Sequence, residues 1–206
     1  MQEKLKLDVC LSPKLVANYD LTDTIIVIID IVRATSTICT AIEYGVDHLI
    51  SVSSIEETLK LKNEGYIIAG ERNGEKIEGF DMGNSPISFM DRKLEGQKIA
   101  ITTTNGTATT QAVLDATAGY QGVEIIIGSF VNYSRVFGFI SRTNKNVLLV
   151  CSGWKGNPSI EDTVFAGKLA KNLEDSNRYK FISDSVIHAI LIHQLAGHNL
   201  FDFIMD

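Results

Sequence analysis

Asp30 stands at the end of the continuous apolar run TIIVII, and Arg33 follows three residues later beside Thr35, Ser36 and Thr37 in DIVRATST. An acid at the mouth of a buried strand can bind a cation or move a proton. An arginine beside hydroxyls can grip an oxyanion through two parallel bonds. The plainer alternatives are a helix cap for Asp30 and a solvated surface arginine for Arg33. Chemistry of the same kind recurs along the chain. The segment GERNGEKIEGFDMGNSP, residues 70–86, carries Glu71, Arg72, Asp81, Asn84 and Ser85 among glycines that let a backbone turn and approach a ligand. In TTTNGT, residues 102–107, an Asn105-Gly106 turn before a helix would place backbone N–H groups and the hydroxyls of Thr104 and Thr107 at a helix N-terminus, an anion site. In CSGWKGNPSIED, residues 151–162, Ser159 and Asp162 suit a capping box, and Glu161 with Asp162 are weaker candidates for metal ligands.

These segments share a position: each comes directly after a predicted strand. LKLDVCL alternates apolar residues with a period of two and reads as a half-exposed strand, whereas TIIVIID reads as one covered on both faces. HLISV, YIIAG, KIAIT, VEIIIG and VLLVCSG are further short apolar strands. Between them, ATSTICTAIEYG places Ala34, Ile38, Ala41 and Ile42 on one helical stripe, and Ser54 with Glu57 offers a capping box for a helix running to Gly65. Short buried strands alternating with helices predict an α/β fold, a three-layer α/β/α arrangement around a largely parallel or mixed sheet. Residues 1–206 read as a single α/β domain or two closely packed α/β halves. In such sheets ligands bind outside the carboxyl ends of the strands, where the polar segments collect.

Composition narrows the function. Hydrophobic residues make up 45% and charged residues 21% of the chain, the balance of a globular protein. A formal net charge of −6 with no Lys/Arg run argues against a general nucleic-acid binder. No apolar run has bilayer length and the start lacks an apolar signal segment, so neither a membrane nor export is expected. Cys10, Cys39 and Cys151 are too scattered for a disulfide framework and suit a reduced cytoplasm. The P-loop and dinucleotide fingerprints are both missing. Asp30 has no second aspartate two residues on, as haloacid-dehalogenase-type enzymes require. Cys151 has Asn157 where a cysteine phosphatase needs arginine, and so reads as a buried thiol. The histidines show no zinc spacing, and oxygen-rich groups without His or Cys pairs point to a hard cation, Mg²⁺ above others.

Taken in order, DIVRATSTI, GERNGEKIEGFDMGNSP, TTTNGT and CSGWKGNPSIEDTVFAG resemble the signature segments of the 2-phosphosulfolactate phosphatases, over about residues 24–175. The resemblance implies a Mg²⁺-dependent phosphatase that hydrolyses 2-phospho-3-sulfolactate, or a related phosphorylated 2-hydroxy acid, to the free acid and phosphate. In archaea that step leads to coenzyme M. A small, highly anionic phosphomonoester must then find local cations on an acidic protein. Under that reading Asp30 and Asp81 bind metal or do acid–base work with Glu71 beside them, and Arg33 and Arg72 clamp oxyanions. Asn105, Gly106 and Thr107, with Asn84 and Ser85, cradle phosphate or carboxylate. Residues 70–86 become the longest wall of the site.

Two features depart from the family pattern. Ala108 stands directly after TTTNGT where family members carry arginine, and family chains continue beyond LAGHNLFDFIMD, so a C-terminal strand or helix is expected to be missing or replaced. Two rivals stay open at this point: a non-catalytic anion-binding module, and a phosphotransferase with an acceptor other than water. The sequence also leaves homo-oligomerisation open.

Overall fold

The computed structural model describes residues 4–197 and 199–205. The α/β class holds, and the strands form two mostly parallel sheets with helices on both sides. The first contains β1 (Leu5–Cys10), β2 (Thr24–Ile29), β7 (Glu124–Gly128), β8 (Asn146–Cys151) and β9 (Tyr179–Phe181) in the order β7-β2-β8-β1-β9, all parallel. The second has the order β3-β6-β4-β5, from β3 (His48–Ser51), β4 (Ile67–Arg72), β5 (Glu75–Lys76) and β6 (Lys98–Thr102), with only the hairpin partner β5 antiparallel.

Alternation within each strand sends side chains to opposite faces, and each face is covered. Ile25, Val27 and Ile29 of β2 join a core with Val136 and Ile140 of α4 (Tyr133–Arg142), Phe165 and Leu169 of α5 (Ile160–Asp175), and Val186 and Ala189 of α6 (Asp184–Ala196). Ile26 and Ile28 point the other way, onto Val113 of α3 (Gly106–Thr117). In the second sheet Ala69, Ile99 and Ile101 meet Ala41 of α1 (Ala34–Glu43), while Ile68 and Ala100 face α2 (Ile55–Lys62) through Ile55 and Leu61. A short α7 (Leu200–Met205) comes after α6. No helix of the described residues is long and apolar enough to cross a membrane.

The reading of β1 as half-exposed is corrected. It lies between β8 and β9, and its even-numbered face carries the buried Asp8 and Cys10 as well as exposed Lys6. The period-two pattern reflects a polar residue inside the sheet rather than a wet face. Asp8 is accommodated there because its Oδ1 accepts from the Val9 amide at 2.8 Å and from the Ser183 hydroxyl. By contrast, the Ser54 cap of α2 forms as expected, its hydroxyl accepting from Glu57 N–H at 3.1 Å.

Residues 70–86 do not form one open loop. Glu71 and Arg72 end β4, a tight turn returns the chain through β5, and Met82 then runs parallel beside Ala69. This return lays Asn84 near the carboxyl end of β4 and leaves Asp81 beside Ile68 at its start.

Candidate active site

The carboxyl ends of both sheets converge on one small cavity of about 20 Å³. Asp30, Val32 and Arg33 enter it from the end of β2, and Glu71 and Gly74 from the β4–β5 hairpin. Asn84 comes from the returning segment, Thr103 and Asn105 from the end of β6, and Trp154 from the loop after β8. Of the residues singled out in sequence, the structure brings together Asp30, Arg33, Glu71, Asn84 and Asn105.

Asp30 is buried and anchored at the start of α1. Its Oδ1 accepts from the Ala34 amide at 3.1 Å, and its main chain exchanges two bonds with the Thr35 hydroxyl, at 3.1 and 2.8 Å. The cap and the functional group are thus one residue. Oδ2 is turned toward Gly106, where an added Cβ would come within 3.0 Å of it and 2.6 Å of the Ala34 methyl. Asn105 sits at φ −105° as the residue before α3 and Gly106 opens the helix, so glycine is needed here for close approach.

Two further buried acids act as struts. Glu71 accepts from Thr104 N–H through Oε1 and from Gly74 N–H through Oε2, both at 2.6 Å, joining the hairpin turn to the end of β6. Asp162 accepts from Ile31 N–H at 2.8 Å and from Gly153 N–H at 2.9 Å, joining the ends of β2 and β8. Its expected capping-box bond is therefore corrected: Asp162 turns away from its own helix start, and the Ser159 hydroxyl is left buried without a partner. Gly153 holds φ +64°, and a Cβ there would fall 2.1 Å from the Asn157 carbonyl, which only glycine avoids.

The polar rim is less committed. Arg33 Nη2 donates to the Gly74 carbonyl at 2.8 Å across the cavity mouth. Asn105 Oδ1 accepts from Lys155 N–H at 3.1 Å, fixing its amide N toward donation elsewhere. Asn84 is buried and its Oδ1 has no partner. A buried acceptor without a donor costs about 1–3 kcal/mol, so an exception at the wall of a cavity points to a ligand.

Other expected residues lie elsewhere. Asp81 is corrected: it is exposed, pairs with Lys62 at 2.6 Å and accepts from Ile68 N–H at 3.0 Å, away from Asp30. Partial burial alone would raise its carboxyl, but the Lys62 ammonium and the Ile68 amide together outweigh it and hold the group below the usual range. Ser85 is half-buried before a short 3-10 turn and does not line the cavity. Thr107 Oγ1 accepts from Thr103 N–H at 3.0 Å, and Thr104 Oγ1 accepts from Asn73 N–H at 3.3 Å. Both threonines, with Arg72, line an adjoining groove instead. Glu161 lies in the first turn of α5 within electrostatic reach of Asp30. Cys151 is fully buried, and burial pushes its thiol up, as expected of a structural cysteine. Sequence reasoning assigns no role to Thr103 or Trp154. Both lie within quoted segments, and their place directly after strands is the available signal.

Burial, and then the neighbouring Glu71 and Glu161, push Asp30 up to about 6 against the pull of the Ala34 amide. Burial and then Asp30 push Asp162 up to about 7. Both folded-state values lie above the ordinary carboxylate value, so the folded chain holds these protons more tightly than the unfolded one. Their contribution to stability is full below about pH 4 and is lost as pH rises through about 6 and 7. A tenfold change in proton affinity is worth about 1.4 kcal/mol, or roughly 3–5 °C in a chain of this size. Thermal melts without divalent cation are expected to fall by at least that much from pH 5 to pH 8, and by less in Asp162→Asn. A flat profile in the wild type would contradict the electrostatic picture.

A profile of the 2-phosphosulpholactate phosphatase family matches residues 10–206. A "Probable 2-phosphosulfolactate phosphatase" of Thermotoga petrophila is 43% identical over 148 residues, 72% of this chain and 62% of that protein. One of Caldanaerobacter subterraneus subsp. tengcongensis is 38% identical over 188 residues, covering 89% and 75%, and one of a Picosynechococcus species is 34% identical over 202 residues, covering 96% and 81%. The match thus spans less than two thirds of the Thermotoga protein's length. With a family profile over almost its whole length and relatives above 30% identity, this chain belongs to the 2-phosphosulfolactate phosphatase family.

Proposed function

We propose that this chain is a phosphoric monoester hydrolase that splits the phosphate from a phosphorylated 2-hydroxy acid, 2-phospho-3-sulfolactate being the substrate its family name indicates. The observation that carries the reading is the convergence of Asp30, Arg33, Asn84 and Asn105 on one cavity at the carboxyl ends of both sheets. Phosphoryl transfer depends mainly on positioning and on stabilising charge on the equatorial oxygens, and these residues supply a fixed carboxylate, a guanidinium and amide groups.

The donor set fits a hard divalent cation. Among the described residues no three Asp, Glu, His or Cys side chains gather as a metal-holding group, and both oxygens of Glu71 and of Asp162 are occupied by backbone amides. Asp30 Oδ2 and the unpartnered Asn84 Oδ1 are the oxygens left to offer, which suits Mg²⁺, an ion that often takes one or two protein ligands and fills the rest with water and phosphate. Bound there, Mg²⁺ would neutralise phosphate charge. Arg33 would exchange the Gly74 carbonyl for a phosphate oxygen, gaining a charge-assisted bond and opening a cavity that is otherwise about the size of one water. The Asn105 amide N–H, held in orientation by Lys155, would donate to a second oxygen. Glu71 and Asp162 would keep the loops in register. The free thiols suit a reduced, cytoplasmic setting.

The test is a phosphate-release screen over 2-phospho acids with and without Mg²⁺. Release that rises at least about tenfold with Mg²⁺ is the expected result. Absence of release from every ester with the metal present would defeat the assignment.

A further inference from the structure

The cavity around Asp30 measures about 20 Å³, room for little more than one water, so an ester bound there must extend through its mouth. We propose that Trp154 is the wall of that mouth and fixes how bulky a leaving group the site accepts. The inference rests on the phosphatase reading for the reaction, and on the turn that carries the indole for the selection.

Two large apolar side chains line the cavity, Val32 and Trp154, and both are exposed, at 55% and 43%. The rest of the lining is polar or glycine. Phosphate suits the polar interior, and the carbon part of an ester is what apolar surface at the rim can touch. Trp154 is held there by its own turn. Its N–H donates to the Asn157 carbonyl at 2.8 Å, and the Asn157 N–H donates back to the Trp154 carbonyl at 3.0 Å. The two residues between them take positive φ, Lys155 at +52° and Gly156 at +82°, as in a type I′ hairpin turn. Three bonds from outside fasten the turn. Gly153 N–H donates to Asp162 at 2.9 Å, Lys155 N–H to Asn105 Oδ1 at 3.1 Å, and the Ser12 hydroxyl to the Gly156 carbonyl at 3.1 Å. The Lys155 ammonium lies 5.4 Å from the centre of the indole ring, a cation–π contact. The indole is thus a fixed wall, and the turn that places it also orients the Asn105 amide. A fixed wall selects by exclusion: a short carbon chain passes along the ring, whereas a bulky group next to the ester oxygen meets it.

Trp154 is the single tryptophan of the chain, so its emission reads the cavity mouth directly. Two measurements test the wall. The first compares kcat/KM for phosphoglycolate, a small 2-phospho acid, with that for phenyl phosphate in the wild type, Trp154→Phe and Trp154→Ala. The small-to-bulky ratio is expected to fall at least about tenfold in Trp154→Ala, with phenyl phosphate gaining in its own right, and to stay within about threefold of wild type in Trp154→Phe. A gain on the bulky ester excludes a mere loss of folding. The second titrates wild-type emission with inorganic phosphate in the presence of Mg²⁺, with chloride at equal ionic strength as the control. A saturable change with phosphate alone is expected. No gain on phenyl phosphate in Trp154→Ala, or emission indifferent to phosphate, overturns the proposal. Failure of the phosphate-release screen beside a saturable emission change would leave an anion site walled by the indole and remove the reaction. Phosphate release with an unmoved ratio would keep the phosphatase and discard the wall.

Discussion

Asp30→Asn is expected to reduce the rate of phosphate release by at least about 100-fold while leaving the melting temperature at pH 8 unchanged or higher. The two halves of this expectation have different causes. Removing the charge takes away the fixed carboxylate on which cation binding and charge balance depend, and groups of that kind are commonly worth roughly two to four orders of magnitude. The fold loses little, because an asparagine carbonyl can still accept from Ala34 N–H and the main-chain bonds to Thr35 are untouched. It also loses a buried charge that sits near Glu71, Glu161 and Asp162. In the wild type, activity should fall as pH drops through about 6, where Asp30 takes up its proton. Rate measurements beside thermal melts check both halves. Near-normal turnover in the variant would remove Asp30 from the mechanism, and a collapse in melting temperature would recast it as a structural cap.

The largest effect on stability is expected at Gly167, far from the cavity. A Cβ built there would lie 1.9 Å from the Ala189 carbonyl oxygen and 2.9 Å from the His193 Cβ, so α5 and α6 touch backbone to backbone at this point. The obstruction is main chain and cannot rotate aside. Gly167→Ala should gain about 1 kcal/mol in helix propensity but force the helices apart, with a net loss of roughly 2–4 kcal/mol from overpacking. That corresponds to a fall of roughly 5–15 °C in Tm. Gly138 in α4 is the control, since a Cβ there meets nothing within 4 Å. Gly138→Ala should raise Tm by about 2–4 °C. Identical shifts in the two variants would mean that packing of α5 on α6 does not decide the outcome.

Much of the site is legible in the sequence because parallel strands advertise themselves. TIIVII, YIIAG and KIAIT are short, apolar and β-branched, and the residues just beyond their carboxyl ends fall at the same edge in space. Asp30, Glu71 and Asn105 are identified by that rule. Asp81 escapes it because its position depends on a segment that turns back and pairs beside β4, a long-range event with no local pattern. Asp162 misleads for a related reason. Its spacing from Ser159 is that of a cap, but the amides of Ile31 and Gly153, distant in sequence, compete for the carboxylate and win it. The strand order within each sheet is equally hidden, since it is set by pairing rather than by composition.

Asp30 is delivered by one sheet and Glu71 by the other, so the width of the candidate cleft depends on how two separately hydrogen-bonded sheets are spaced. α1 packs on the second sheet through Ala41 and α3 on the first through Val113, and each helix begins at the cavity, with Ala34 and Gly106 against Asp30. Size changes at Ala41 or Val113 would therefore shift the walls of the cavity as well as the packing of each sheet.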